Sequence, residues 1–111
     1  MNIHCLLVIK LNNRVEIAKE FAEAVNSDKI VQIILFGSVA RGEDTEESDI
    51  DILIISDYYE EIDQCISDEI YNIICKYQEL VSAHVISMER FELTKNWSFL
   101  TNVLEDGEIL V

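Results

Sequence analysis

The 111-residue chain has no proline, only three glycines, one tryptophan, and 8 basic side chains against 22 acidic ones. Without proline, no periodic segment is broken from within. The shortage of lysine and arginine leaves a formal charge of −14. An excess of that sign repels phosphate backbones, which argues against direct binding to an extended nucleic acid unless metal ions or a basic partner intervene. It suits a metal site, a basic protein surface, or simple solubility. The three cysteines, Cys5, Cys65 and Cys75, form an odd set with no C-x-x-C pair. Free thiols in a reducing cytosol fit that pattern. Cys65 and Cys75 have apolar neighbours and are expected as small core residues. No stretch approaches the length of a membrane span. The run "CLLVI" near the start is too short for a signal segment and lacks a basic flank before it. These absences predict a cytoplasmic protein without membrane association.

What is present is a chain that is 50% apolar, enough for a modest core in one domain over 1–111. No linker, repeat or low-complexity tract divides it. Val15, Ala18, Phe21, Ala22 and Val25 recur at helical steps between Asn12 and Val25. "IVQIILF", Ile30 to Phe36, is β-branched and reads as a buried strand. A Gly-Ser turn and a short "SVAR" helical turn follow, then an acidic loop from Gly42 to Ser48, then a second strand from Ile50 to Ile55. Asp57 and Glu60 have the spacing of a capping box that opens a helix with Tyr58, Ile62, Ile66, Ile70, Ile73 and Tyr77 on its apolar side. "LVSAHVIS", Leu80 to Ser87, is a third strand with mixed faces. From Met88 the pattern predicts a helix that packs Phe91, Phe99, Leu100, Val103 and Leu104 inward and stops near Gly107. The order predicts an α/β (α+β) fold, a small mixed sheet flanked by helices.

The chemistry concentrates in "FGSVARGEDTEESDID", Phe36 to Asp51, which holds two of the three glycines. Residues i and i+2 of a strand share a face, so Asp49 and Asp51 point together while Ile50, Ile52 and Ile54 face the core. Carboxylates side by side raise at least one pKa unless a cation intervenes. A hard divalent ion, magnesium or manganese, is the natural cation, and it leaves coordination positions for water and phosphate oxygens. Gly37 has no Cβ and lets backbone approach a ligand; Ser38 adds a hydroxyl. The free N–H groups of "SVAR" offer partial positive charge to a phosphate. A metal at the aspartates with donors at the turn makes a clamp for a nucleoside triphosphate.

Gly37-Ser38, ten intervening residues, then Asp49-Ile50-Asp51 resembles the G-S-x10-D-x-D pattern of the DNA polymerase β-like nucleotidyltransferases. "FGSVARGEDTEESDIDILI" is particularly similar to the minimal nucleotidyltransferase proteins, which are antitoxins paired with a helical HEPN ribonuclease toxin. The resemblance is specific over Leu35 to Ile55 and continues loosely to the end, through Phe99, Val103, Asp106 and Gly107. It implies a polymerase β-like nucleotidyltransferase fold, Mg2+ or Mn2+, ATP as substrate, and transfer of AMP to a tyrosine hydroxyl of the HEPN partner. On that pattern Gly37 and Ser38 hold the triphosphate, and Asp49 and Asp51 are the catalytic metal ligands. Arg41 either contacts phosphate or anchors the loop, and Ser48 is expected among the nucleotide-binding residues, chiefly by hydrogen-bonding the loop.

One element departs from the pattern. The family places a third carboxylate on the later strand as metal ligand and general base, and "LVSAHVIS" has none. Ser82 and His84 share one of its faces. His84 either stands in as the base or is a partly buried strand residue. Glu79 and Glu89 flank the strand and reach inward only if the register shifts. The missing acid leaves two readings, an active transferase and an antitoxin that neutralises its partner by binding alone. A third, a free-standing transferase acting on a small molecule, has little room for a second substrate domain. Trp97, Phe91 and Phe99 read as core or interface, and the final helix could support a homo-oligomer.

Overall fold

A computed structural model describes residues 12–111. They run α1 (Arg14–Val25), β1 (Gln32–Phe36), α2 (Gly37–Arg41), β2 (Ile50–Ile55), α3 (Tyr59–Tyr77), β3 (Val81–Ile86), α4 (Met88–Thr94), α5 (Ser98–Asp106) and β4 (Glu108–Ile109). His4, Cys5 and the "CLLVI" run lie outside the described residues.

The sheet has the order β3-β2-β1-β4. β1 and β2 are antiparallel, with Gln32 opposite Ile55 and Phe36 opposite Asp51. β2 and β3 are parallel, which requires a crossover, and α3 supplies it. In that register Asp51 lies beside Ser82 and Leu53 beside His84. β4 adds an antiparallel edge to β1. The mixed α/β architecture is the one the element order predicted.

Alternation along β2 feeds two cores. Ile50, Ile52 and Ile54 pack beneath α1 and α3 with Ile17, Phe21, Ile62, Ile66 and Ile73. Leu53 and Ile55 belong to a second cluster on the opposite face, with Ile34, Phe36, Leu100 and Val103. The face that begins with Asp51 is therefore polar only at its entry; two residues on, Leu53 is 1% exposed. A sheet covered on both sides explains why "ILII" is continuously apolar rather than alternating.

Four expectations are corrected. Asp57 does not cap α3: its Oδ1 accepts from the Met88 amide at 2.9 Å, tying the start of α3 to the start of α4, and Tyr58 occupies the cap position without a side-chain bond. Tyr58 is correspondingly exposed, since it precedes the first helical turn. Cys65 and Cys75 are exposed rather than core, because they fall beside and behind the stripe set by Ile62, Ile66 and Ile73. The segment after Met88 is two helices, not one. α4 ends at Thr94, α5 restarts at Ser98, and the restart turns Phe99 and Leu104 outward while Leu100 and Val103 stay buried.

Because Ile52 is fully buried beneath α1 and α3, Ile52→Ala should cost about 2–5 kcal/mol. Urea unfolding followed by far-UV circular dichroism measures it; a loss under 1 kcal/mol would mean that this layer is not the main core.

Candidate active site

β1 runs straight into α2, and at the junction the backbone packs directly against the entry of β2. Gly37 has φ +76, a left-handed value that L side chains rarely adopt. A Cβ at this position would overlap Asp51 Oδ2 and stand 3.2 Å from its Cγ. Glycine is thus required twice, by conformation and by the carboxylate pressed against it. Val39 is buried in the larger core and pins α2 to the sheet. Gly42 closes the helix at φ 71, and the Glu43 amide returns to the Ser38 carbonyl at 2.9 Å.

The acidic loop that follows is held from within and from without. The Thr45 amide donates to Ser48 Oγ at 2.9 Å, and the Ser48 amide donates back to the Thr45 carbonyl at 3.0 Å. Ser48 therefore ties the loop, the role its type suggested. Arg41 is exposed and paired with Glu43 at 3.1 Å, an anchoring contact in this structure.

The external hold is a residue the motif did not reveal. Arg14, in the first turn of α1, donates from Nη1 to Asp44 Oδ2 at 2.9 Å and to the Thr45 carbonyl, and from Nη2 to the Glu46 carbonyl at 2.9 Å. Its Nε donates to Glu79 Oε2, also at 2.9 Å. Asn12 Nδ2 reaches the same Glu79 carboxylate and the Tyr77 carbonyl. The Arg14 and Glu79 side chains are 10% and 11% exposed. Burial opposes the Arg14 charge, and the bonds to Glu79 and Asp44 outweigh it, so its pKa ends above the usual value. No local pattern could have found this clamp, because its partners lie 30 to 65 positions away along the chain.

Asp49 is exposed at the mouth of β2, and Asp51 is half-buried inside it. The Asp51 carboxyl is pushed up from the ordinary aspartate range, first by burial and then by the Asp49 charge, while His84 and Arg41 pull it down. The structure thus brings Asp49, Asp51, Gly37, His84 and Arg41 into one neighbourhood. Ser82 is the β3 residue beside Asp51 and brings a hydroxyl, not a carboxylate, to it. His84 is exposed one pleat further, its Nε2 3.4 Å from Ser82 Oγ and its ring tilted against Phe36 at 5.9 Å between centroids. Glu79 is committed to Arg14, and Glu89 is exposed on α4, so neither supplies the missing carboxylate.

Among the described residues no group of three or more His, Cys, Asp or Glu is placed to hold a metal ion. The donors present are a pair of hard carboxylates with mutual repulsion still to be relieved. That set fits a divalent ion whose other positions go to water and to phosphate oxygens.

Residues 16–110 match the model of the nucleotidyltransferase domain family. The chain is 46% identical over 101 residues to a Methanocaldococcus jannaschii protein, MJ0604, provisionally assigned as a protein adenylyltransferase; the match covers 88% of this chain and 98% of that one. Among solved structures, a toxin-antitoxin crystallised with AMP-PNP superposes with a TM-score of 0.54 at 19% identity, over 91% of this chain and 73% of that one. A nucleotidyltransferase structure from Sulfolobus solfataricus does so at 0.50 and 20% identity, over 91% and 85%. The chain belongs to the nucleotidyltransferase domain family, the grouping its G-S-x10-D-x-D motif resembled.

Two outcomes follow for the site. Arg14→Ala leaves the largely buried Glu79 carboxylate with the Asn12 amide but no counter-charge, and should cost about 2 kcal/mol, between the ranges for exposed and fully buried pairs. Chemical denaturation measures that loss, and limited proteolysis should show new cleavage within 43–48. An uncut loop would mean that Arg14 is dispensable to it. The second outcome concerns Asp51. A carboxyl with a raised folded pKa binds its proton more tightly when folded, so stability falls as pH rises through that range. Without metal, Asp51→Asn should therefore melt higher than the parent at pH 7 and lose part of the parent's decline between acid and neutral pH. Parallel melting curves for the two proteins would overturn the assignment of strain to this carboxylate.

Proposed function

We propose that the chain is the nucleotidyltransferase antitoxin of a toxin–antitoxin pair. It transfers AMP from ATP to a tyrosine of a HEPN-type helical toxin, in the cytoplasm, with magnesium or manganese. The observation that carries this reading is the Gly37–Asp51 junction with Asp49 beside it, since a carboxylate pair packed against a side-chain-free turn suits a metal-bound triphosphate. The assigned activity of the M. jannaschii relative supports the choice of a protein acceptor. The AMP-PNP complex among the structural neighbours fits both a nucleotide and a toxin partner.

In this reading Asp49 and Asp51 hold the ion, Gly37 and Ser38 receive the triphosphate tail, and Arg41 is free to leave Glu43 for phosphate. A bound divalent ion would supply charge neutralisation at the transferring phosphoryl group. The residues of this chain supply position: β2 fixes Asp51, and the Arg14 clamp fixes the loop that delivers Asp49. Ser48 keeps that loop closed.

The place of the third carboxylate favours a second reading. The β3 residue beside Asp51 is Ser82, not an acid, and general-base assistance is typically worth about 10²–10⁴-fold. A weakened enzyme would then neutralise its partner by occlusion, with the −14 charge covering a basic RNA-binding face. One experiment separates the two. The protein is incubated with labelled ATP, magnesium and the co-encoded helical protein, and the same preparations are assayed for toxin inhibition. Transfer is expected for the parent and lost in the Asp49→Asn, Asp51→Asn double variant, with inhibition lost alongside. Absence of label from the parent, or full inhibition by the double variant, selects occlusion.

A further inference from the structure

Large apolar side chains are conspicuous on the surface around α4 and α5: Trp97 is 65% exposed and Phe99 56%. They frame a cavity of about 210 Å³ whose floor is Leu53, His84 and Ile86 and whose walls include Arg90, Trp97 and Phe99. The cavity lies over β2 and β3, on the face of the sheet that carries Asp51. It is joined to the carboxylate site through Phe36, the residue before Gly37. The Phe36 ring meets Phe99 edge-on at 5.6 Å and leans on His84 at 5.9 Å. Exposed aromatics grouped over an apolar hollow mark a binding surface rather than ordinary surface scatter.

Sheet order decides what such a hollow can hold. Asp51 is on β2, Gly37 and Ser38 start at the end of β1 on one side of it, and β3 lies on the other. A triphosphate whose tail lies over Gly37 and Ser38 directs its leaving pyrophosphate toward the β1 side. In-line displacement at phosphorus places the nucleophile opposite the leaving group, hence on the β3 side. On that side the cavity offers His84 and Ile86 of β3, next to Leu53 of β2. Its lining is mainly apolar, with Arg90, Thr94 and His84 as its polar members. That combination suits a phenol, an apolar ring with one polar tip.

We propose that this cavity is the acceptor subsite and takes the ring of a tyrosyl side chain presented by the partner protein. The inference rests on the transferase reading above and adds where the acceptor docks. The phenolic oxygen bonds to the α-phosphorus as the P–O bond to the β-phosphate breaks. The electron pair leaves with pyrophosphate, and the phenolic proton goes to water or to the His84 ring.

Trp97 is the chain's one tryptophan, so its emission reports on the cavity directly. With magnesium and AMP-PNP present, titrating N-acetyl-tyrosinamide should shift the emission excited selectively at tryptophan. Phe99→Ala should weaken that titration roughly tenfold, the equivalent of one lost aromatic contact, while leaving AMP-PNP affinity unchanged. In the labelling assay Phe99→Ala and Arg90→Ala should raise KM for the acceptor protein and leave KM for ATP alone. An emission shift from AMP-PNP by itself, with nothing added by the phenol, would place the nucleobase in the cavity and overturn the proposal. So would an unresponsive Trp97, or acceptor KM values untouched by both substitutions. Phenol binding without any transfer would leave the cavity assignment standing and remove the transferase reading instead.

Discussion

Everything at the site depends on one steric fact, the contact between the Gly37 backbone and the Asp51 carboxylate. It holds the end of β1 against the entry of β2 closely enough that no side chain fits between. The same contact presses Asp51 toward the interior, where burial and the neighbouring Asp49 both work against its charge. The fold therefore keeps an electrostatic strain that hydrogen bonds within the described residues do not discharge. A divalent ion is the economical remedy, since it relieves repulsion and desolvation together. The fold's β-branched core holds the strain in place. Ile50 and Ile52 flank Asp51 in sequence and are fully buried, so the carboxylate cannot retreat without unpacking the layer below.

A second constraint sets where Asp49 can go. It sits outside β2, at the end of a loop carrying Glu43, Asp44, Glu46 and Glu47, whose mutual repulsion alone would spread it outward. Arg14 reverses that tendency with bonds to one carboxylate and two carbonyls of the loop, and Glu79 fixes Arg14 in turn. Its planar fork suits this work better than a lysine ammonium, because several acceptors are met from one rigid group. α1 thus contributes more than a core stripe: its first turn extends the site's scaffold to the far end of α3.

How much of this was legible in the chain follows from range. Helices and strands announced themselves through periodicity, and β2 has the bounds that its apolar run predicted, because burial on both faces writes a continuous pattern. The pair Asp49 and Asp51, with Gly37 before it, was visible because the chemistry is packed into one short stretch. The Arg14 clamp was not visible, and neither was the bond from Asp57 to the Met88 amide, since each joins residues distant along the chain. Asp57 had the local look of a cap, and tertiary geometry gave its oxygen to a different helix. Cys65 and Cys75 misled for a related reason. Apolar neighbours in sequence are not neighbours on a helix surface, and both thiols turn away from the Ile62–Ile73 stripe. Phe99 and Leu104 turned outward because a break at 95–97, which no glycine or proline marks, resets the helical phase.

The charge of the whole molecule and the character of its exposed aromatic cavity bear on the same partner. A surface at −14 draws a basic protein from a distance but does not orient it, because screened charge acts over about 8–10 Å and carries little geometry. Orientation needs a short-range fit, and Trp97 and Phe99 offer one in a hollow on the face of the sheet that carries Asp51. The proposed reaction would divide the labour: long-range attraction brings the partner, and a ring-sized hollow selects which residue meets the phosphorus. The sheet makes that meeting directional. In the proposed reaction the triphosphate tail lies on the β1 side and the hollow spans β2 and β3, which puts Asp51 between the two substrates. The order β3-β2-β1 thus matters as much to the proposed reaction as any single side chain, and no residue-by-residue reading of the motif contains it.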